Sequence, residues 1–587
     1  MKKRTKKKFI PAIAVFVLIL IVLLFMLLAK VIEKYTPSKE QQDLSEYYQM
    51  TAEDDVAIVF NNEVLPVHGK LIDGHVYLDF NTVHDKINSR FFWDSNENKL
   101  LYTTANDLIM ADAESTSYYV TKDSHSLDHI IVKSGAQTAY VAIDFIKQYS
   151  DFSYEVFEAP NRVVITTQWG DYTAAPAKKK TELRVLGGIK SPILAEIEKG
   201  TSLSVLAPDE TWTKVATADG IIGYVKSKTL GASTTETRVS DYVPEEFTHN
   251  KKDFKINLGW HQVTNTTANN NISNILQNTK GINVISPTWF YLKDNSGNIG
   301  SLASLDYVNY CHQNGIEVWA LVSNFGAKDQ GLENPNLTEV LTYTSRRENL
   351  INNLISAAIQ YNLDGINVDF ESVDPAVGDA YIQFIRELSL KCANNGIVLS
   401  VDNYSPTEYT AFYNRAEQAV FADYIILMAY DEHYSGSPEA GSVASIGFVS
   451  EGIANTLLEV PADQLILGMP FYTRVWSEAP AAADAENPDA STEGAAPIEL
   501  SCYSAGMKEI QNLINTNGAV PVWSEETKQS YVEYVNNGVT YKIWMEDAAS
   551  LEEKLKVMQQ NQLAGGAFWK LGLETSNVWD TIIKYIN

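Results

Sequence analysis

LDGINVDFE, Leu363–Glu371, is the stretch on which the fold turns. Read as a β-strand, it puts Gly365, Asn367, Asp369 and Glu371 on one face and Ile366, Val368 and Phe370 on the other, because strand side chains alternate. Two carboxylates and an amide on one face are too costly for ordinary core, so that face has to line a cavity. A half-exposed antiparallel strand shows the same alternation, and the flanks decide between the two. Upstream, Leu350, Ile351, Leu354, Ile355 and Ala358 recur at helical spacing. Downstream, Asp374 and Pro375 give an N-cap and first-turn signal ahead of the apolar-periodic Tyr381, Phe384, Ile385, Leu388 and Leu390. Helix, strand, helix is the punctuation of an α/β fold whose parallel strands are covered by helices.

The same form recurs from Asp253 to the end of the chain. Strand candidates are KINLGWH, GINVISPTWFYL, IEVWALVSN, DGINVDFE, GIVLSVDNYS, ADYIILMAYDEH, LILGMPFYTR and GGAFWKLG, each ending in polar or aromatic residues. Eight parallel strands with helices between them predict a (β/α)8 barrel over 253–587, with its active site at the carboxyl ends of the strands.

DGINVDFE resembles the signature strand of glycoside hydrolase family 18, the chitinase-like enzymes, whose pattern is Asp-x-x-Asp-x-Asp-x-Glu. Asp364, Asp369 and Glu371 match; Asn367 stands where many chitinases have Asp, as in the spore-cortex and cell-wall branch. Met428, Ala429, Tyr430 and Asp431 match the sixth-strand Met-x-Tyr-Asp, and GGAFWKLG matches the last strand. The third-strand Ser-x-Gly-Gly survives only as Ser323, Asn324, Phe325 and Gly326.

The resemblance implies Glu371 as the acid that protonates the leaving oxygen. It implies no enzyme nucleophile, because the family uses the acetamido oxygen of the substrate. Asp369 would then hold the acetamido N–H and Tyr430 its carbonyl oxygen, with Asn367 hydrogen-bonded to Asp369. Trp569 would floor the sugar site and Asp431 would contact a hydroxyl, with Met428 beside them. Trp289, Tyr404, Tyr472 and Arg474 are further cleft candidates, for each of which barrel packing or a solvated loop is the plain alternative. The substrate expected is N-acetylglucosamine-containing glycan, peptidoglycan or chitin. A catalytically silent, lectin-like or scaffold protein on the same barrel is the rival reading, and the presence of Glu371, Asp369 and Tyr430 argues against it.

Net charge is −27 even though six of the first eight residues are Lys or Arg. A surface that acidic argues against nucleic acid as partner. The three cysteines, Cys311, Cys392 and Cys502, are widely spaced and form no disulfide framework or metal-binding pair. Among the nine histidines only His125 and His129 are close in sequence, without a further ligand pattern, so neither a metal nor a cofactor is expected.

After the basic start, Phe9 to Ala29 carries no charge, long enough as a helix to cross a ~30 Å hydrocarbon core. A cleaved signal peptide would have a shorter apolar run ending at a small-x-small site, whereas Leu27–Val31 reads LLAKV. An uncleaved anchor over 1–35 is therefore expected, with its basic end cytoplasmic and the rest of the chain outside, facing the wall.

Residues 36–55 read as a polar stalk. Over 56–170 the segment from Val76 repeats without gaps from Ala139, pairing Tyr77 with Tyr140, Asn98 with Asn161 and Thr103 with Thr166. Each unit reads as strand, short helix and hairpin, an α+β pattern similar to the N-terminal domain of copper amine oxidases. Phe91, Phe92 and Trp93 are read as its core. A linker over 171–180 precedes short strands over 181–231 that resemble a bacterial SH3-like domain, and a second linker covers 232–252. Glu478–Pro497 is Ala-, Pro- and acid-rich without apolar period, read as a disordered insertion after the seventh barrel strand, either neutral or a flap near the cleft.

Overall fold

The structure is a computed structural model and describes residues 9–135, 138–480 and 498–586. The basic run at positions 1–8 and most of the acid-rich insertion, 481–497, lie outside the described residues. Two compact units divide the chain, one made of Met1–Trp93, Ala111–Tyr118 and Ser124–Pro244, the other of Asp94–Met110, Tyr119–Asp123 and Glu245–Asn587.

In the first unit, Phe9–Tyr35 is one helix. Its part Ile13–Tyr35 has a mean hydropathy of 3.2 and buries nothing against the protein, so by length and composition it is able to cross a membrane. Residues 36–55, expected as a free stalk, instead pack. Tyr48 is buried and donates its hydroxyl to the Gly220 carbonyl at 3.1 Å, and Gln42 N donates to the Ile193 carbonyl and Ile193 N to the Glu40 carbonyl, both at 2.8 Å. The reason lies in Leu44, Tyr47 and Tyr48, apolar surface within an otherwise polar stretch.

The duplicated pattern appears as elements: strands His75–Asp79 and Ala139–Ala142, helical turns Phe80–Ile87 and Ile143–Gln148, hairpin strands Phe92–Asp94 with Lys99–Thr103 and Ser153–Phe157 with Arg162–Thr166. The leading strands of the two repeats pair antiparallel, Val141 opposite Leu78. His129 does not join His125; its ring stacks on His75 with centroids 3.8 Å apart, while His125 lies on Tyr118.

Both segments read as linkers contribute strand. Gly170–Pro176 pairs with Thr234–Arg238 and with Ser202–Ala207 in a seven-stranded antiparallel sheet over Leu183, Leu194, Leu203, Val215 and Val225. Small residues, Ala174 and Ala175, give that edge its buried face, which polarity alone concealed.

In the second unit eight parallel strands close a barrel: β1 (Ile256–His261), β2 (Val284–Leu292), β3 (Glu317–Ser323), β4 (Gly365–Asp369), β5 (Val398–Tyr404), β6 (Tyr424–Met428), β7 (Leu465–Pro470) and β8 (Gly565–Trp569). Each pairs with the next and β1 pairs with both β2 and β8, so no edge is left open. Leu258, Trp260, Trp319, Leu321, Tyr424 and Ile426 fill the interior. Gly365 is required there, since a Cβ would stand 2.6 Å from the Trp319 ring.

Helices α1 (Thr344–Tyr361) and α2 (Gly378–Asn394) flank β4 and bury the predicted apolar stripes. Asp374 caps the turn that leads into α2, accepting from Ala376 N. The N-terminus of α1 is capped from outside the barrel sequence: Asp94 Oδ2 accepts from Thr344 N and Thr344 Oγ1, both at 2.6 Å. Between β7 and β8 stands a five-stranded antiparallel sheet with helix Met507–Asn517, packed around Val475, Ile510, Ile514, Val532 and Ile543.

Candidate active site

A cleft of about 900 Å³ opens at the carboxyl ends of the barrel strands. The polar face of β4 climbs towards it in layers. Gly365 lies lowest, Asn367 is in the interior, and Asp369 and Glu371 reach the cleft. Asp364, the first acid of the motif, is at the opposite end, where its Oδ2 accepts from Val318 N at 2.8 Å and meets His312 Nε2 at 2.7 Å. It anchors the strand and does not face the cleft.

Glu371 is held at two points. Asn324 Oδ1 accepts from Glu371 N at 2.9 Å while Asn324 Nδ2 donates to Glu371 O at 2.8 Å, and Tyr404 Oη donates to Glu371 Oε2 at 2.8 Å. Burial pushes the Glu371 carboxyl above the ordinary range and the charge of Asp431 adds to this, while the Tyr404 hydroxyl opposes it. Asp369 is pushed well up by burial, then by the charges of Asp402 and Glu371. Its Oδ1 is buried and accepts no hydrogen bond.

Met428 ends β6, and Tyr430 and Asp431 follow it, all three in the cleft wall. Burial holds the Tyr430 hydroxyl firmly protonated, as a donor. Tyr472 and Arg474, on strand Tyr472–Pro480, both donate to Asp431 Oδ1 at 2.7 Å, so the three act as one clamp. Trp569, at the end of β8, lines the floor against Trp260 with ring centroids 6.1 Å apart.

Two expectations are corrected. Trp289 is fully buried in the barrel wall, donating Nε1–H to Asn269 Oδ1 at 2.8 Å and packing on Tyr307. Thr288 and Phe290 line the cleft, and alternation along β2 puts Trp289, between them, on the other face. Asn367 is fully buried, and it bonds to Asp402 rather than to Asp369. Its Oδ1 accepts from Trp260 Nε1 (2.9 Å) and Ser286 Oγ (3.1 Å), and its Nδ2 donates to Asp402 Oδ1 (2.8 Å) and Ser400 Oγ (3.1 Å). It therefore has no group left for a sugar.

Asn324, Asp402 and Trp260 were not singled out from the sequence. Asn324 carried a faint signal in the degenerate third-strand pattern, and Asp402 one in its place near the end of a strand, VDNY. Among the described residues Arg474 is the sole cationic side chain lining a cleft that also holds Asp329, Asp369, Glu371, Asp402 and Asp431.

Comparison with known proteins agrees with this geometry. "Uncharacterized glycosylase YvbX" of Bacillus subtilis is 25% identical over 310 residues, 52% of this chain and 84% of that protein. The "Cortical fragment-lytic enzyme" of Bacillus subtilis is 25% identical over 240 residues, 40% of this chain and 52% of that protein, so the match spans only about half of the relative. In structure, the C-terminal domain of a chitinase-named protein of Desulfitobacterium hafniense DCB-2 superposes with a TM-score of 0.50 at 19% identity, over 57% of this chain and all of that one, a likeness of fold. The family model "Glycosyl hydrolases family 18" matches residues 232–574, more than half of the chain, which therefore belongs to that family of glycoside hydrolases.

Proposed function

We propose that this protein is a membrane-anchored, outward-facing hydrolase that cuts β-1,4 bonds following N-acetylglucosamine in wall glycan, by substrate-assisted retaining catalysis. The observation that carries the reading is the Glu371 carboxyl at the cleft, proton-retentive through burial and aimed by Tyr404 and Asn324. Protonation of the glycosidic oxygen requires such an acid. Asp369, two residues earlier on the same face, takes the acetamido N–H. Tyr430 donates its hydroxyl to the acetamido oxygen as that oxygen attacks the anomeric carbon. Glu371, now a carboxylate, then draws a proton from the water that opens the resulting ring, which restores the acid. The requirement for a 2-acetamido group confines cleavage to bonds after N-acetylglucosamine or a close relative.

Trp569 offers an aromatic floor for the apolar face of the sugar, and the Asp431–Tyr472–Arg474 clamp offers hydroxyl-directed polar atoms. Peptidoglycan is favoured over chitin by the cortical fragment-lytic relative and by the apolar helix Ile13–Tyr35, which would hold the enzyme against its own wall. The basic residues before that helix favour a cytoplasmic N-terminus.

The test is cleavage by full-length protein in detergent, on purified peptidoglycan and on N-acetylglucosamine oligomers, beside Glu371→Gln. New reducing ends on N-acetylglucosamine, absent in the variant, are the expected result. Glycan binding without cleavage by either protein would favour the lectin-like alternative. Membrane association that survives high salt and is lost with residues 1–35 is the expected behaviour of the anchor.

A further inference from the structure

Asp402 is a buried carboxylate that the proposed mechanism does not use. It is 3% exposed, lies on β5 and contributes to the cleft lining. β4 and β5 run in register from Gly365 opposite Val398 to Val368 opposite Val401, so the next rung sets Asp369 beside Asp402. Neighbouring strands are about 4.8 Å apart, and residues on one rung point to the same side. Two carboxyls thus stand next to one another in the barrel interior. Both are displaced upwards, Asp402 by burial and by the charge of Glu371, against which the Asn367 Nδ2–H bond works.

The hydrogen bonds say how the two differ. Asn367 Nδ2–H fixes Asp402 Oδ1 as an acceptor, so a proton on Asp402 sits on its other oxygen, whereas Asp369 Oδ1 has no donor at all among the described residues. Two bare negative charges at that spacing in a buried site are not sustainable, and a single proton between them removes the conflict. Other titratable groups facing the pair are Glu371, Tyr430, Tyr381, Tyr404 and Tyr413; the Tyr381 hydroxyl has no partner among the described residues, while those of Tyr404 and Tyr413 bond Glu371 and the Phe370 carbonyl. The nearby guanidinium of Arg415 is engaged with the carbonyl oxygens of Tyr404 and Thr410.

We propose that Asp402 is the proton partner of Asp369: the two carboxyls hold one proton and one negative charge, and the charge retreats to Asp402 as Glu371 gives up its proton. The step balances. The O–H bond to an Asp402 oxygen breaks as one to an Asp369 oxygen forms, and the pair keeps a charge of minus one throughout. Asp369, now neutral, can donate to the new Glu371 carboxylate through one oxygen and accept the acetamido N–H through the other. Asn367 is unable to hold that proton, and Asp402 does so from the adjacent strand. Asp402 is in this sense a positioning residue, acting through Asp369. The inference rests on the roles given above to Asp369 and Glu371.

The test uses full-length protein in detergent and has two arms. In the Glu371→Gln background, infrared spectra at neutral pH should contain the carbonyl stretch of one protonated buried carboxyl that disappears when Asp402→Asn is added. This arm needs no activity, so it decides the proposal even if the glycan reading fails. In the active protein, Asp402→Asn should lower kcat about 100-fold with little change in KM. The swap variant Asn367→Asp/Asp402→Asn, which moves the carboxyl to the same face of β4 as Asp369, should regain the infrared band and most of kcat. It also carries the test if the single variant does not fold. An unchanged band, an unchanged kcat in Asp402→Asn, or a folded swap variant that regains neither would overturn the proposal. Failure of wild-type cleavage with the band behaving as expected would overturn only the catalytic reading.

Discussion

Asn324 and Glu371 are joined reciprocally, side-chain oxygen to backbone N–H at 2.9 Å and side-chain N–H to backbone carbonyl at 2.8 Å. An amide at the end of β3 thereby sets the backbone from which the acid projects beyond β4. Asn324→Leu should reduce kcat about 100-fold while the thermal midpoint falls little, because misplacement of a reacting group by about 1 Å costs that much. Steady-state kinetics beside a melting curve checks this; a kcat within two-fold of wild type would remove Asn324 from the site.

The hydroxyl of Tyr404 lowers the proton affinity of a Glu371 carboxyl that burial has raised. Tyr404→Phe removes the donor to Oε2, so Glu371 should stay protonated to higher pH. The alkaline limb of kcat/KM, which marks loss of the acid's proton, should move upward by about one pH unit. A limb that stays in place or moves down would contradict the assignment of that limb to Glu371.

The same raised affinity has a consequence for stability. A carboxyl that binds its proton more tightly folded than unfolded stabilises the fold below the unfolded pKa. That contribution is lost as pH rises from the unfolded value through the folded one. Glu371→Gln carries no such loss. Its thermal midpoint should exceed that of wild type at neutral pH, and the two should converge near pH 4, a comparison made by calorimetry at both pH values.

Asp94 caps α1, which runs back to β4 and its carboxylates. It is 1% exposed and also accepts from Asn96 N and Glu97 N. Asp94→Ala should cost about 1–2 kcal/mol in denaturant unfolding of the catalytic unit. Activity per folded molecule should be retained at low denaturant. A variant as stable as wild type would show that Thr344 finds another cap.

Much of the barrel was legible because each of its strands is an apolar run closed by polar or aromatic residues, and β4 declared its two faces by strict alternation. Asp369 and Glu371 showed in the alternation that runs through β4 and past its end, whereas Tyr430 and Trp569 came from the resemblance to the family's sixth and last strands. Asp402 and Asn324 were not legible, since each matters through a neighbour on another strand, and lateral register is not written in a strand's own pattern. Trp289 misled for a different reason: Ser286, Thr288 and Phe290 share the inner face by strict alternation, which already places Trp289 on the outer one. The stalk and linker segments were read by polarity, which hides the few buried residues, Tyr48, Ala174 and Ala175, that fasten them.

The hairpin after β7 joins the cleft to the acid-rich insertion. Nine rungs run without interruption from Tyr472 opposite Gly506 to Pro480 opposite Ile498. At about 3.4 Å per residue, the two attachment points of residues 481–497 stand ~27 Å along the ladder from Tyr472. That separation makes the insertion an exchangeable cassette: a fluorophore site, an affinity tag or a second binding module could replace it while the ladder keeps Tyr472 and Arg474 seated on Asp431.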